Sequence, residues 1–213
     1  SLTGTGGLNL GTVTANDLNV NTSAGNISQS GRVQVKNVNT TYLTAVNGNI
    51  LLNDPTNDFV GGIYANATND IQIYNSNATI LGNISSANFQ IISAGGGITQ
   101  VSGTNIAVTG LSNLTATGNS ITVNQSTNNF GTLQASGNVV SISDTGSLSL
   151  GTISATNLTV NTSGVISQAT GTNLTVTCNS NFVSSGSGAA GDITLGNVTN
   201  NLGGTITASG SNV

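Results

Sequence analysis

Six aspartates, Asp17, Asp54, Asp58, Asp70, Asp144 and Asp192, are the only acids in this sequence, and Arg32 and Lys36 are the only bases. Hydrolysis of a polysaccharide would need paired carboxylates on one face. The only close grouping is Asp54, Asp58 and Asp70, of which the first two lie in "NDPTND". Asp and Asn around Pro55 form a turn composition. The positions that match Asp58 later in the chain are Asn129 and Asn201. A polar turn is therefore the reading taken, ahead of Ca²⁺ coordination and ahead of catalysis. The sequence has no His, so a Ser–His–Asp triad is excluded. Cys178, the single cysteine, can form neither an internal disulfide nor a Cys–His pair. In "NLTVTC" it shares parity with Leu174 and Val176 and is expected to be a small buried residue. No glycine-rich phosphate loop precedes Lys36, and "SAGGGIT" lacks the Asp of the calcium-binding nonapeptide. Two basic residues are too few for nucleic acid, where phosphate neutralisation dominates affinity. No catalytic, cofactor-binding or metal-binding residue is assigned, no cofactor is expected, and the chain is read as a non-enzyme.

Recurring residues carry the remaining chemistry. Gln29, Gln100 and Gln168 end the phrase "ISQ" or "ITQ" and are expected to satisfy backbone groups at equivalent corners. Phe59, Phe89 and Phe130 interchange with leucine in other copies (Leu202 for one set, Leu18 and Leu158 for another), which indicates core filling rather than stacking on a sugar or base. Thr-x-Thr pairs at Thr12, Thr115, Thr175 and Thr205 could bind ice if they formed a flat ladder. However, Thr12 and Thr14 align with Asn83 and Ser85, then with Thr152 and Ser154, so the ladder fails. Sequons begin at Asn26, Asn39, Asn66, Asn77, Asn83, Asn113, Asn157, Asn173 and Asn197, among others, and permit glycosylation without requiring it.

These residues must be positioned by elements that repeat. "LGTVTANDLNVNTSAGNISQ" at Leu10 returns as "LGNISSANFQIISAGGGITQ" at Leu81 and as "LGTISATNLTVNTSGVISQ" at Leu150. A second phrase, Asn57-Asp58-Phe59, returns as Asn128-Asn129-Phe130 and Asn200-Asn201-Leu202. Two phrases at one period of about 71 residues make the repeat secure. Thr, Ser, Asn, Val and Gly disfavour helix, whereas Val, Ile and Thr suit strands. Disorder normally pairs low hydrophobicity with high net charge; here apolar residues recur every few positions and the net charge is -4. In "RVQVK", Val33 and Val35 face one way and Arg32, Gln34 and Lys36 the other; Ile106 with Val108 and Leu174 with Val176 keep that parity. Short strands in long repeats predict a parallel β-solenoid rather than a β-sandwich. About nine coils of about 24 residues are expected, three coils to each repeat. Asn and Thr stacked above one another would form hydrogen-bonded ladders where stacked charges would repel.

The phrases "ITVNQSTNNFG", "SLSLGTISATNLTV" and "GVISQATGTNLTV" resemble the repeat region of filamentous-haemagglutinin-like exoproteins, the large adhesins of two-partner secretion systems. The resemblance spans essentially the whole chain. It implies a right-handed parallel β-helix, export through an outer-membrane β-barrel transporter, and a role in adhesion, biofilm formation or toxin delivery. The family's secretion domain and any toxin-like domain are not recognisable, so those functions attach to no residue here. No run is apolar and long enough for a membrane helix, and no signal-peptide pattern opens the chain.

The expectation is one all-β shaft segment over residues 1–213, cut from a longer repeat region, with repeats starting near 10, 81 and 150. Such a segment of a secreted or cell-surface adhesin would hold a distal domain away from the cell and meet a host or neighbouring cell. The alternatives are a face that itself binds glycan and, behind it, a solenoid polysaccharide enzyme.

Overall fold

The computed structural model describes residues 1–38 and 40–213; the sequon at Asn39 lies outside the described residues. The described residues are all-β, with 25 short strands and a single 3-10 turn at Gly188–Gly191 among them. Every strand pairing is parallel, and partners lie in successive turns, as in Leu2↔Val20, Val20↔Leu43 and Leu43↔Ala65. This is a parallel β-solenoid of about nine turns, with three repeats of roughly three turns each.

Alternation inside the strands builds the core. Leu18–Thr22 reads buried, exposed, buried, exposed, buried. Val33 and Val35 are fully buried, as are Ile106, Val108, Leu174 and Val176. Arg32 and Lys36 are exposed and Gln34 is half-buried, so the parity read from the sequence holds. Leu18, Phe89 and Leu158 are all buried, and so are Val20, Ile91 and Val160, which makes them equivalent core sites.

Within a repeat the core stacks large on small. Leu18 is covered by Thr41 and then Ile63; Phe89 by Ser112 and then Leu133; Leu158 by Ser180 and then Ile206. Thr41, Ser112 and Ser180 are buried with hydroxyls that find no protein partner. Their constancy follows from volume, because a small residue leaves room for the bulky side chains above and below.

The turns are shorter than a third of a repeat. Leu18 pairs with Thr41, Thr41 with Ile63 and Ile63 with Leu81. Three turns from Leu18 therefore reach Leu81, which is followed eight residues later by the repeat equivalent of Leu18, Phe89. Likewise Leu158 lies three turns above Ile98, not above Phe89. Each repeat covers three turns and runs on by one more strand. Equivalent residues thus share the same core environment but not the same stack, and successive repeats are carried around the rod.

The recurring "LG" marks a bulge. Ile63 pairs with Leu81 and Ala65 with Ile84, so Gly82 and Asn83 together face Tyr64; Leu133, Ala135, Leu150 and Ile153 repeat the arrangement around Gln134. A Cβ on Gly82 would sit 2.5 Å from the Tyr64 ring, and one on Gly151 2.5 Å from Gln134 Cγ. Glycine is required there because the side chain of the preceding turn lies across it.

Candidate functional site

A glutamine and an asparagine that recur in all three repeats meet at a corner of the coil. Gln29 Nε2 donates to Asn57 Oδ1 at 2.9 Å, and Asn57 Nδ2 donates back to Gln29 Oε1 at 2.8 Å. Gln100 and Asn128 make the same reciprocal pair at 2.7 and 2.9 Å, and Gln168 and Asn200 at 2.7 and 2.8 Å. Each asparagine also accepts from a strand N–H one turn below: Val33, Ile106 and Leu174. Each donates to a carbonyl five residues upstream: Leu52, Val123 and Leu195. The glutamine amides complete the corner by donating to the carbonyls of Gly31, Thr104 and Thr172. The glutamines therefore satisfy backbone groups at equivalent corners, as expected. Their side-chain partners were not foreseen, although both phrases recur at the same period.

The turn above uses a simpler corner. Asn75 Oδ1 accepts from the Phe59 N–H at 3.0 Å, and its Nδ2 donates to Phe59 and Ala78 carbonyls and to Thr79 Oγ1. Asp144 takes this place one repeat later: Oδ2 accepts from Phe130 N–H at 2.6 Å and Oδ1 from Gly146 N–H at 2.7 Å. Asp144 is 3% exposed. Burial pushes its carboxyl above the usual carboxylate range, against the two N–H donors that favour the charge.

The three aspartates singled out in the sequence are held separately. Asp54 accepts from the Thr56 N–H at 2.8 Å and from the Thr56 hydroxyl, which lowers its pKa. Asp58 faces Arg32 at 3.3 Å and accepts from Gln34 and Asn77. Asp70 accepts from Asn88 Nδ2 at 2.9 Å. That last contact belongs to a ladder along one corner: Asn49 Nδ2 donates to Asn26, Asn49 accepts from Asp70 N–H, and Asn88 accepts from Leu111 N–H. The stacked polar residues expected of a solenoid are present.

Cys178 corrects one expectation. It is exposed rather than buried. Its strand ends at Val176, and the chain then turns, with Cys178 N–H donating to the Thr156 carbonyl. Strand parity with Leu174 stops where the strand stops.

Among the described residues, one pair of aromatic rings stacks on the outer surface. Tyr42 and Tyr64 stack in register in successive turns, with ring centroids 4.9 Å apart and planes tilted by 31°. Tyr42 is 44% exposed. Asn66, Asn83 and Thr44 surround a shallow depression of about 210 Å³ beside them. The equivalent positions later in the chain carry Asn113, Asn181 and Gln134, so the fold does not require an aromatic there. The sequence reading passed over these tyrosines because they occur in no other repeat. Among the described residues no helix is long and apolar enough to cross a membrane.

The family model described as "Repeats of unknown function (DUF5649)" matches residues 1–66, 68–135 and 136–209, and the chain belongs to that family. No curated protein and no solved structure matches it. The three matched stretches together cover nearly the whole chain and fall at the period of the repeats read from the sequence.

Proposed function

We propose that this member of the repeat family is a shaft segment of a secreted or cell-surface bacterial adhesin, holding a distal domain away from the cell. The observation that carries the reading is that the Gln and Asn recurring in every repeat are engaged within the corner of the coil. The Gln–Asn pairs bond to each other and to backbone of the same corner, so the most strictly recurring polar side chains hold the fold together. What repeats therefore serves the rod. The resemblance to filamentous-haemagglutinin-like repeats supports the placement, and with it export through an outer-membrane β-barrel transporter.

The test is reach. A binding domain displayed on one, two or three copies of the chain should engage receptors held progressively further from the surface, with unchanged affinity for free receptor. Equal reach for all lengths would overturn the shaft reading. A second reading, a glycan-binding face, is favoured by the Tyr42–Tyr64 stack flanked by Asn66 and Asn83, since aromatic faces and amides suit sugars. Saturable glycan binding by the chain alone, lost in Tyr42→Ala, would establish it instead.

A further inference from the structure

We propose that Tyr42 and Tyr64 form an oxidative cross-linking site, where a haem peroxidase acting with hydrogen peroxide joins the two rings and staples successive turns of the rod. The rings meet with centroids 4.9 Å apart and planes tilted by 31°. The backbone fixes that meeting. Thr41–Ala45 and Gly62–Ala67 run parallel in unbroken register from Thr41↔Ile63 to Ala45↔Ala67, so both phenols leave the sheet side by side in the same direction. The Tyr64 ring fills the slot left open by Gly82, where a Cβ would strike it. Tyr42 is 44% exposed, so an oxidant reaches it from solvent. The equivalent pairs are Asn113 with Gln134 and Asn181 with Thr207, so the coil itself does not call for two phenols there. The third tyrosine, Tyr74, stands beside Ile92 and, among the described residues, stacks on no ring.

Each phenol loses one electron and its hydroxyl proton. The two phenoxyl radicals carry spin on the ring carbons ortho to oxygen, and a carbon–carbon bond forms between one such carbon of each ring. The hydrogens on those carbons then move to the oxygens as protons, which restores both phenols. The electrons and protons removed convert one hydrogen peroxide into two waters. In a solenoid each turn is held mainly by its neighbours. A covalent bond between Thr41–Ala45 and Gly62–Ala67 therefore keeps these two turns together when adjacent ones fray. No ligand takes part, so the inference stands apart from the glycan reading of the same tyrosines.

Dilute chain treated with a haem peroxidase and hydrogen peroxide should show dityrosine fluorescence in a monomer lighter by the hydrogens lost. Proteolysis and mass spectrometry should find the Tyr42 peptide joined to the Tyr64 peptide. Tyr42→Phe keeps a ring in the stack but removes one phenol, and it should abolish that intrachain product. Tyr74→Phe should leave the yield unchanged. Urea tests the role of the fold. Tyr64 lies 22 residues from Tyr42 but 10 from Tyr74, and in an unfolded chain the shorter loop closes more readily. The Tyr64–Tyr74 product should therefore overtake in urea. The stapled chain should also unfold at a higher urea concentration than the parent, because the closed loop gains less freedom on unfolding; an unmoved midpoint would overturn the stapling. An intrachain yield in the parent no greater than in Tyr42→Phe would overturn the site. So would products formed mainly between chains at that dilution, or a Tyr42–Tyr64 product that dominates equally in urea.

Discussion

Two corners of the coil solve the same problem with different tolerance. Both give a strand N–H a side-chain oxygen: Asn128 does so for Ile106, and Asp144 for Phe130. At the first corner the residue must also donate, to the Val123 carbonyl and to Gln100 Oε1. Asn is kept there in all three repeats, as Asn57, Asn128 and Asn200. At the second corner only accepting is indispensable, and Asn75 is replaced by Asp144 one repeat later. The number of obligatory donors, not burial alone, decides whether an amide can become an acid. A buried acid still costs desolvation that an amide does not.

The largest test of this contrast is Asn128→Asp. The carboxylate would face the Val123 carbonyl and Gln100 Oε1 without a proton to give, and the loss should be about 3 kcal/mol or more in urea unfolding. A loss below about 1 kcal/mol would show that the donor is dispensable. Asn75→Asp should cost less, about 1–2 kcal/mol, because the Phe59 N–H keeps its acceptor while the donations to Phe59 and Ala78 are lost.

Asp144→Asn should work in the opposite direction and stabilise by about 1 kcal/mol at neutral pH, since the amide can copy the bonds of Asn75. The pH dependence fixes the sign. The folded state holds the Asp144 proton more tightly than the unfolded state. Its favourable contribution is therefore present below the ordinary carboxylate range and is lost as pH rises through the elevated folded pKa. The stability advantage of Asp144→Asn over the parent should grow as pH is raised from acid to neutral. An advantage that shrinks over that interval would mean the carboxylate is favoured in the folded state. The smallest effect belongs to Asp58→Asn, which installs the residue found at Asn129 and Asn201. Its Arg32 partner is 43% exposed, and the change should stay within about 0.5 kcal/mol in the same unfolding assay.

Much of this was legible in the residues. Val33 and Val35 declared the inward face, and the phrases at Leu10, Leu81 and Leu150 declared the repeat. The path of the chain was not legible. A period of about 71 residues does not say where the chain turns. Dividing it by three hid the extra strand that places Leu81, rather than Phe89, three turns from Leu18. The amide pairs were hidden for a related reason. Gln29 and Asn57 lie 28 residues apart, as do Gln100 and Asn128, but Gln168 and Asn200 lie 32 apart. Only stacking makes those separations one contact. Cys178 was misplaced because periodicity carries no mark for its own end.

The central claim is that repetition here encodes a uniform rod whose length is set by the number of repeats. Small-angle X-ray scattering on tandem arrays of three and six repeats, at dilutions where the chains are monomeric, tests it most directly. The cross-sectional radius should be the same for both. Length should increase by about 16 Å per repeat, roughly three and a third turns at about 4.8 Å each. A cross-section that grows with repeat number, or a length that fails to increase in proportion, would contradict the account.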